Sequence, residues 1–182
     1  MSEHPPQLAH LEHLGDAARF ATQLHALIPH CTLLENFTPD EVRELSQFME
    51  VFRAAEGAEI IREGDGGDFM VMVIEGRIEV SKRDRWNTPQ AIATVEPGRI
   101  LGEMSMIDGA ARFATCTATD GPALVAVLGR ENLARTIVER PMLGAKLLME
   151  LVLMLSQRLR QTSQRLLGLI DDQSQGAAPH LL

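Results

Sequence analysis

The residues with the clearest chemical potential lie in one stretch, Gly102 to Thr115, reading GEMSMIDGAARFAT. A Gly-Glu pair opens a short segment of mixed apolar and polar residues. Asp108 and Gly109 then supply a turn of two small residues, and one arginine, Arg112, enters what reads as a strand. Free backbone N–H groups at the start of a short helix form a ready anion site. A guanidinium downstream of them adds a bidentate grip on phosphate oxygens. The carboxylate of Glu103 would repel that anion unless it faces a donor such as a sugar hydroxyl. The combination suits a ribose carrying a phosphate, held in a cavity. The alternative is a Glu103–Arg112 salt bridge that only pins the segment.

Short strands must position this stretch. Val51-Phe52, Ile60-Ile61, Phe69 to Ile74, Ile78 to Val80, Ala91 to Val95, Ala114 to Ala118 and Leu124 to Leu128 are apolar runs separated by glycine turns. That spacing predicts a sandwich or barrel. Helices flank it. Thr38 reads as an N-cap, Pro39 as the first helical residue and Glu41 as the partner closing a capping box, with Phe37 and Val42 as a hydrophobic staple, in a helix to about Phe48. Apolar residues from Gln7 to Ile28 recur at helical spacing, broken near Gly15 and Asp16. A short helix from Gly129 to about Glu139 is stopped by Pro141, which starts another. From Met142 to about Asp172 only Gly144 and Gly168 break the helical pattern, a rod of about 45 Å. Leu148, Val152, Leu155, Leu159, Thr162, Leu166 and Leu169 form a heptad seam along it and predict a parallel homodimer. The competing possibility is a stripe packed on the chain's own barrel, which Leu143, Leu147 and Leu151 could supply.

Composition narrows the function classes. The chain has 182 residues, 45% of them hydrophobic and 23% charged, enough for one globular domain with appended helices. A formal net charge of −8 disfavours binding to a polyanion. Two cysteines, Cys31 and Cys116, make no disulfide framework, and no signal-peptide pattern or spanning apolar run is present. A soluble, cytoplasmic protein is the expectation. Enzyme chemistry finds little support. All six histidines lie outside the strand region, so a metal-dependent barrel enzyme lacks its ligands. His10 and His13 are spaced to share a metal but read as solvated surface. The acidic loop from Glu63 to Asp68 lacks calcium-loop spacing. Cys116 reads as buried and inert, and Ser105 lacks a nucleophile-elbow context.

GEMSMIDGAAR resembles the phosphate-binding cassette of cyclic nucleotide-binding domains, with Gly102, Glu103, Met104, Ser105, Met106, Ile107 and Arg112 on the family pattern. Phe113 departs from it, since the family carries Ala, Ser or Thr there. The resemblance runs from about Leu33 to about Asp172. It implies an α+β, mostly β fold: a double-stranded β-helix or jelly-roll barrel with N-terminal helices and a long C-terminal dimerisation helix. The implied layout is an N-terminal helical arm over 1–30, the cyclic nucleotide-binding jelly roll over 31–140, the dimerisation helix over 141–172 and a flexible tail over 173–182.

The resemblance also implies roles. Glu103 would accept from the ribose 2′-OH, and Arg112 would pair with the cyclic phosphate. Backbone N–H groups near Ser105 and of Phe113 and Ala114 would complete the phosphate site. Ser105 need only be small, and Met104 and Met106 would be core plugs. RLRQTSQRL is similar to the stretch in catabolite-activator-type regulators where a Thr-Ser pair meets the adenine, one residue reaching across the dimer; Thr162 and Ser163 fall on that pair. Thr162 bonding back to its own helix is the competing possibility. The implied function is a stand-alone receptor for cAMP or cGMP, cAMP favoured because Phe113 removes a hydroxyl, signalling by conformational change to an unidentified protein partner, with no metal and no catalysis. The short tail after the long helix leaves no room for a helix-turn-helix, so DNA binding is not expected. The alternatives are a cyclic-dinucleotide sensor and a ligand-free dimeric scaffold with Phe113 filling the pocket.

Overall fold

The computed structural model describes residues 5–175, so residues 1–4 and most of the expected tail lie outside the described residues. Seven strands form one antiparallel sheet: β1 (Glu12–Asp16), β2 (Glu50–Ala54), β3 (Glu59–Ile61), β4 (Phe69–Arg83), β5 (Pro89–Val95), β6 (Ile100–Leu101) and β7 (Thr115–Gly129). The strand order is β1-β2-β7-β4-β5, with β3 also on β7 and β6 also on β4. Five α-helices surround it: α1 (Ala21–Leu27), α2 (Pro39–Ser46), α3 (Glu103–Asp108), α4 (Arg130–Glu139) and α5 (Pro141–Gln175). The mostly-β architecture with flanking helices is the expected one.

β4 and β7 are the spine, paired from Phe69 opposite Gly129 to Ser81 opposite Thr115. The sequence shows each as two apolar runs; the structure makes each one bent strand, with the register shifting around Glu75. Both faces of the first half of β4 are covered, which explains the unalternating run FMVMVI. Phe69, Val71 and Val73 enter one buried cluster with Phe52, Ile78 and Val125, while Met70, Met72 and Ile74 enter another with the helices.

The helix start at Thr38 forms as expected. Its side chain accepts from Glu41 N, and the Glu41 carboxylate accepts from Thr38 N at 2.7 Å. The N-terminal segment differs from expectation. Only α1 is α-helical there; residues 12–16 form β1 on the edge of β2, and the Asp16 side chain accepts from Ala18 N at 2.6 Å to start the turn into α1. Pairing with an exposed sheet edge overrides a weak helical spacing, because the edge offers backbone partners that an isolated helix of that length cannot match.

α5 begins at Pro141 as expected. Leu143, Leu147, Leu151 and Met154 are buried against the body, on one face of the helix. Leu148, Val152, Leu159 and Leu166 of the expected seam are 39–68% exposed in the single chain. Leu169 of that seam falls among side chains outside the description. No helix among the described residues is long and apolar enough to cross a membrane.

Candidate functional site

The conspicuous stretch carries the expected short helix, and its turn falls at the end of that helix, at Gly109. Gly102 has φ +77°, and a Cβ there would come within 2.5 Å of Arg112 Nη1, so only glycine brings the chain this close to the guanidinium. α3 follows at once and ends at Gly109, whose N–H donates to Ser105 O. Residues two apart on a helix cannot share a face. Hence Met106 is buried while Met104 is 55% exposed, and Met104 is not the core plug the pattern suggested. Ser105 is buried and small as expected.

Arg112 lies in the loop before β7 rather than in the strand. Its backbone N–H donates to Asp65 O at 2.9 Å and its carbonyl accepts from Gly64 N at 3.0 Å. The side chain is 4% exposed. Nη1 donates to Gly102 O at 2.7 Å, Nη2 donates to Phe69 O at 2.8 Å, and the guanidinium carbon stacks 4.3 Å from the centre of the Phe69 ring. Burial lowers its pKa below the ordinary arginine value, against the opposing fields of Asp68 and Glu103. It remains a cation at neutral pH. Among the described residues no carboxylate forms an ion pair with it.

Glu103 does not pair with Arg112, so the two are not a simple pinning salt bridge. The residue is 2% exposed, and Oε1 accepts from Arg158 Nη1 of α5. Arg158 Nη2 also donates to Ile100 O at 2.9 Å. Arg158 was not among the residues singled out by sequence. The available signal was its place one turn before Thr162, on the same face of the long helix. Thr162 Oγ1 donates to Arg158 O at 2.9 Å, the back-bonded arrangement.

These groups line two adjoining spaces. The first, of about 130 Å³, is walled by Ile61, Gly102, Glu103, Ser105, Arg112 and Ala114, with Met104 and Phe113 at its edge. The second is an open groove of about 990 Å³ between β5 and α5, lined by Ile92, Arg99, Thr162 and Arg165 among others. Val80, Leu101 and Arg158 belong to both. Ser163 is exposed and lines neither. Phe113 is 60% exposed and does not fill the first space. Lys82 Nζ lies 4.1 Å from its ring centre and donates to Phe113 O at 2.7 Å and to Glu63 Oε1 at 2.9 Å. The Arg83 N–H and then Lys82 hold the Glu63 carboxyl below its ordinary range.

The remaining candidates resolve individually. Burial pushes the Cys116 thiol up to about 12, so it stays protonated at neutral pH. His10 Nε2 meets Glu59 O and His13 Nε2 meets Glu50, so the two rings do not converge. No group among the described residues has the arrangement of a metal site.

The family model for "Cyclic nucleotide-binding domain" matches residues 51–140. The chain is similar to the crystal structure of a cyclic nucleotide-binding domain from Methylobacillus flagellatus KT, with 32% identity, TM-score 0.79 and coverage of 98% of this chain and 99% of that one. It is 23% identical over 144 residues to the CRP-like cAMP-activated global transcriptional regulator of Mycobacterium tuberculosis, covering 79% of this chain and 62% of the regulator. It is 28% identical over 107 residues to human cGMP-dependent protein kinase 2, covering 58% of this chain. The chain spans less than two thirds of that regulator and 14% of the kinase.

Proposed function

This chain belongs to the cyclic nucleotide-binding domain family, and from that premise we propose that it is a cyclic-nucleotide receptor whose ligand is cAMP in preference to cGMP. The observation that carries the proposal is Arg112, a buried guanidinium with no carboxylate partner among the described residues, beside an unfilled space. Burying a charge without an ion partner is costly, and an entering anion removes that cost. Two of its N–H groups are committed to the carbonyls of Gly102 and Phe69, which fix the plane of the fork. The donors left over can meet a phosphate in that plane.

Glu103 completes the sugar side. Arg158 takes Oε1 and orients the carboxylate. Its other oxygen accepts from a ribose 2′-OH. The first space is smaller than the roughly 300 Å³ expected of a small-molecule pocket. It takes the ribose and cyclic phosphate, and the base extends past Val80 and Arg158 into the groove beside Thr162. Phe113 stands at the edge with one face over Lys82 and no hydroxyl to offer a guanine, which favours adenine.

We further propose that the receptor is a homodimer through α5. Leu148, Val152, Leu159 and Leu166 are exposed apolar residues along the expected seam, of a kind that buries against a second copy. In that arrangement Ser163, which lines neither space of its own chain, faces the partner. Signal would pass to a partner protein through a change in the α5 surface, with ligand affinity differing between two states. Calorimetric titration with cAMP, cGMP and cyclic di-GMP tests the ligand class. Saturable heat with cAMP, weaker with cGMP, is expected. Heat with none of the three would leave only a dimeric scaffold, and heat with the dinucleotide alone would reassign the ligand.

A further inference from the structure

α3 is held at both ends by arginines from the helices that follow the barrel. At its start Glu103 is gripped by Arg158 of α5. At its end Arg130, the first residue of α4, donates Nε to Met106 O at 2.8 Å and Nη2 to Ser105 O at 3.0 Å. The same Nη2 reaches Gly67 O at 3.2 Å, and the Arg130 backbone N–H donates to Asp68 O at 2.6 Å. A cation under the last carbonyls of a helix complements its negative end; Ser105 O, which also accepts from Gly109 N, takes a second donor there. Here it also ties α3 and the 67–68 loop to α4. That loop leads directly into Phe69, whose carbonyl accepts from Arg112.

α4 and α5 are in turn locked together. A Cβ on Gly144 of α5 would lie 2.7 Å from Ile137 Cα of α4, so the two helix backbones touch. The connections therefore close a ring: α3 to Arg130, α4 to α5, Arg158 back to Glu103. A ligand seated on Arg112 and Glu103 acts on that ring from inside.

Resting on the receptor function proposed above, we infer that Arg130 is the positioning residue that transmits occupancy of the Arg112 space to α4 and α5. It touches no ligand. It fixes where α3 stands, and it makes α4 follow when α3 moves. Arg158 alone cannot do this, because it grips a carboxylate the ligand also uses.

Arg130 is an exposed side chain, so its replacement opens no core cavity. Freed carbonyls at the end of α3 gain water instead. Arg130→Met removes the tie, while Arg130→Lys keeps the charge but cannot fork across carbonyls of α3 and the 67–68 loop. The experiment is amide hydrogen exchange across residues 130–158, with and without saturating cAMP, on the full chain and both variants, alongside calorimetric affinities. The wild type is expected to change its exchange in α4 and the first half of α5 on binding. Arg130→Met is expected to bind about tenfold more weakly and to lose that change even at saturation, with Arg130→Lys in between. A lowered melting temperature with the exchange response intact means that Arg130 is only a structural tie, and overturns the inference. A wild type that binds none of the cyclic nucleotides overturns the receptor function and the inference together. A wild type that binds and responds, with Arg130→Met responding equally, overturns the inference alone.

Discussion

Two guanidinium groups border the same space and are held in opposite ways. Arg112, on the barrel side, is 4% exposed, stacked on Phe69 and without an ion partner among the described residues. Arg158, on the helix side, has a side chain 42% exposed and is paired with a carboxylate 3% exposed. The difference separates binding from stability. A buried cation without a counter-ion contributes little to the free fold and much to the capture of an anion. A partly exposed cation that neutralises a buried carboxylate does the reverse.

That contrast breaks most visibly at Arg112. Arg112→Met is expected to weaken cAMP at least ~30-fold, from the ~2–5 kcal/mol lost when one partner of a buried charge pair is truncated. Its denaturant midpoint should fall by little or rise. A large loss of stability with binding retained would invert the assignment. Arg158→Met should show the opposite balance, because it strands the Glu103 carboxylate. The full cost of breaking a buried pair is ~3–5 kcal/mol, and solvent around Arg158 reduces it to ~1–2 kcal/mol. Its effect on cAMP affinity should be the smaller of the two, read by the same titration.

Leu159→Glu sharpens the helix side. Leu159 is 68% exposed in the single chain, so the variant should fold normally and sediment as a monomer, while the wild type is expected to sediment as a dimer. Identical sedimentation of the two proteins would move the dimer elsewhere or remove it. The last effect is seen only at alkaline pH and concerns Cys116, which lines the space beside Arg112. Its thiol has an ordinary value of 9.0 and is pushed up to about 12 in the fold. The unfolded chain therefore releases that proton first. The contribution is fully present below the ordinary value and is lost as pH rises through this window, at up to ~1.4 kcal/mol per pH unit. Cys116→Ala should flatten the alkaline limb of the stability profile, measured by urea titration at several pH values.

Much of this was legible in the sequence where a residue type has one structural use. Thr38 and Glu41 announce a capping box, Pro141 a helix start, and Gly102 to Arg112 a phosphate-binding cassette. Local spacing misled where tertiary pairing decided the outcome. Residues 12–16 carry no strong strand pattern and are drawn into the sheet by the free edge of β2. Met104 and Met106 look equivalent until a helix turns one of them outward. Arg158 was the larger omission. One arginine among several on a long helix has no mark of its own, and its partner lies 55 residues earlier in the chain. The heptad was ambiguous for a related reason. Leu147 and Leu159 are the same residue on the same helix, but they lie about 120° apart around it, and only the stripe that faces the body is covered, leaving one at 0% and the other at 68% exposure.

The most direct measurement is a crystal structure of the chain grown with cAMP. Two oxygens of the cyclic phosphate are expected within about 2.7–2.9 Å of the Arg112 guanidinium, with the Glu103 carboxylate on the ribose 2′-OH. A nucleotide bound elsewhere, with Arg112 still meeting only the carbonyls of Gly102 and Phe69, would contradict the account.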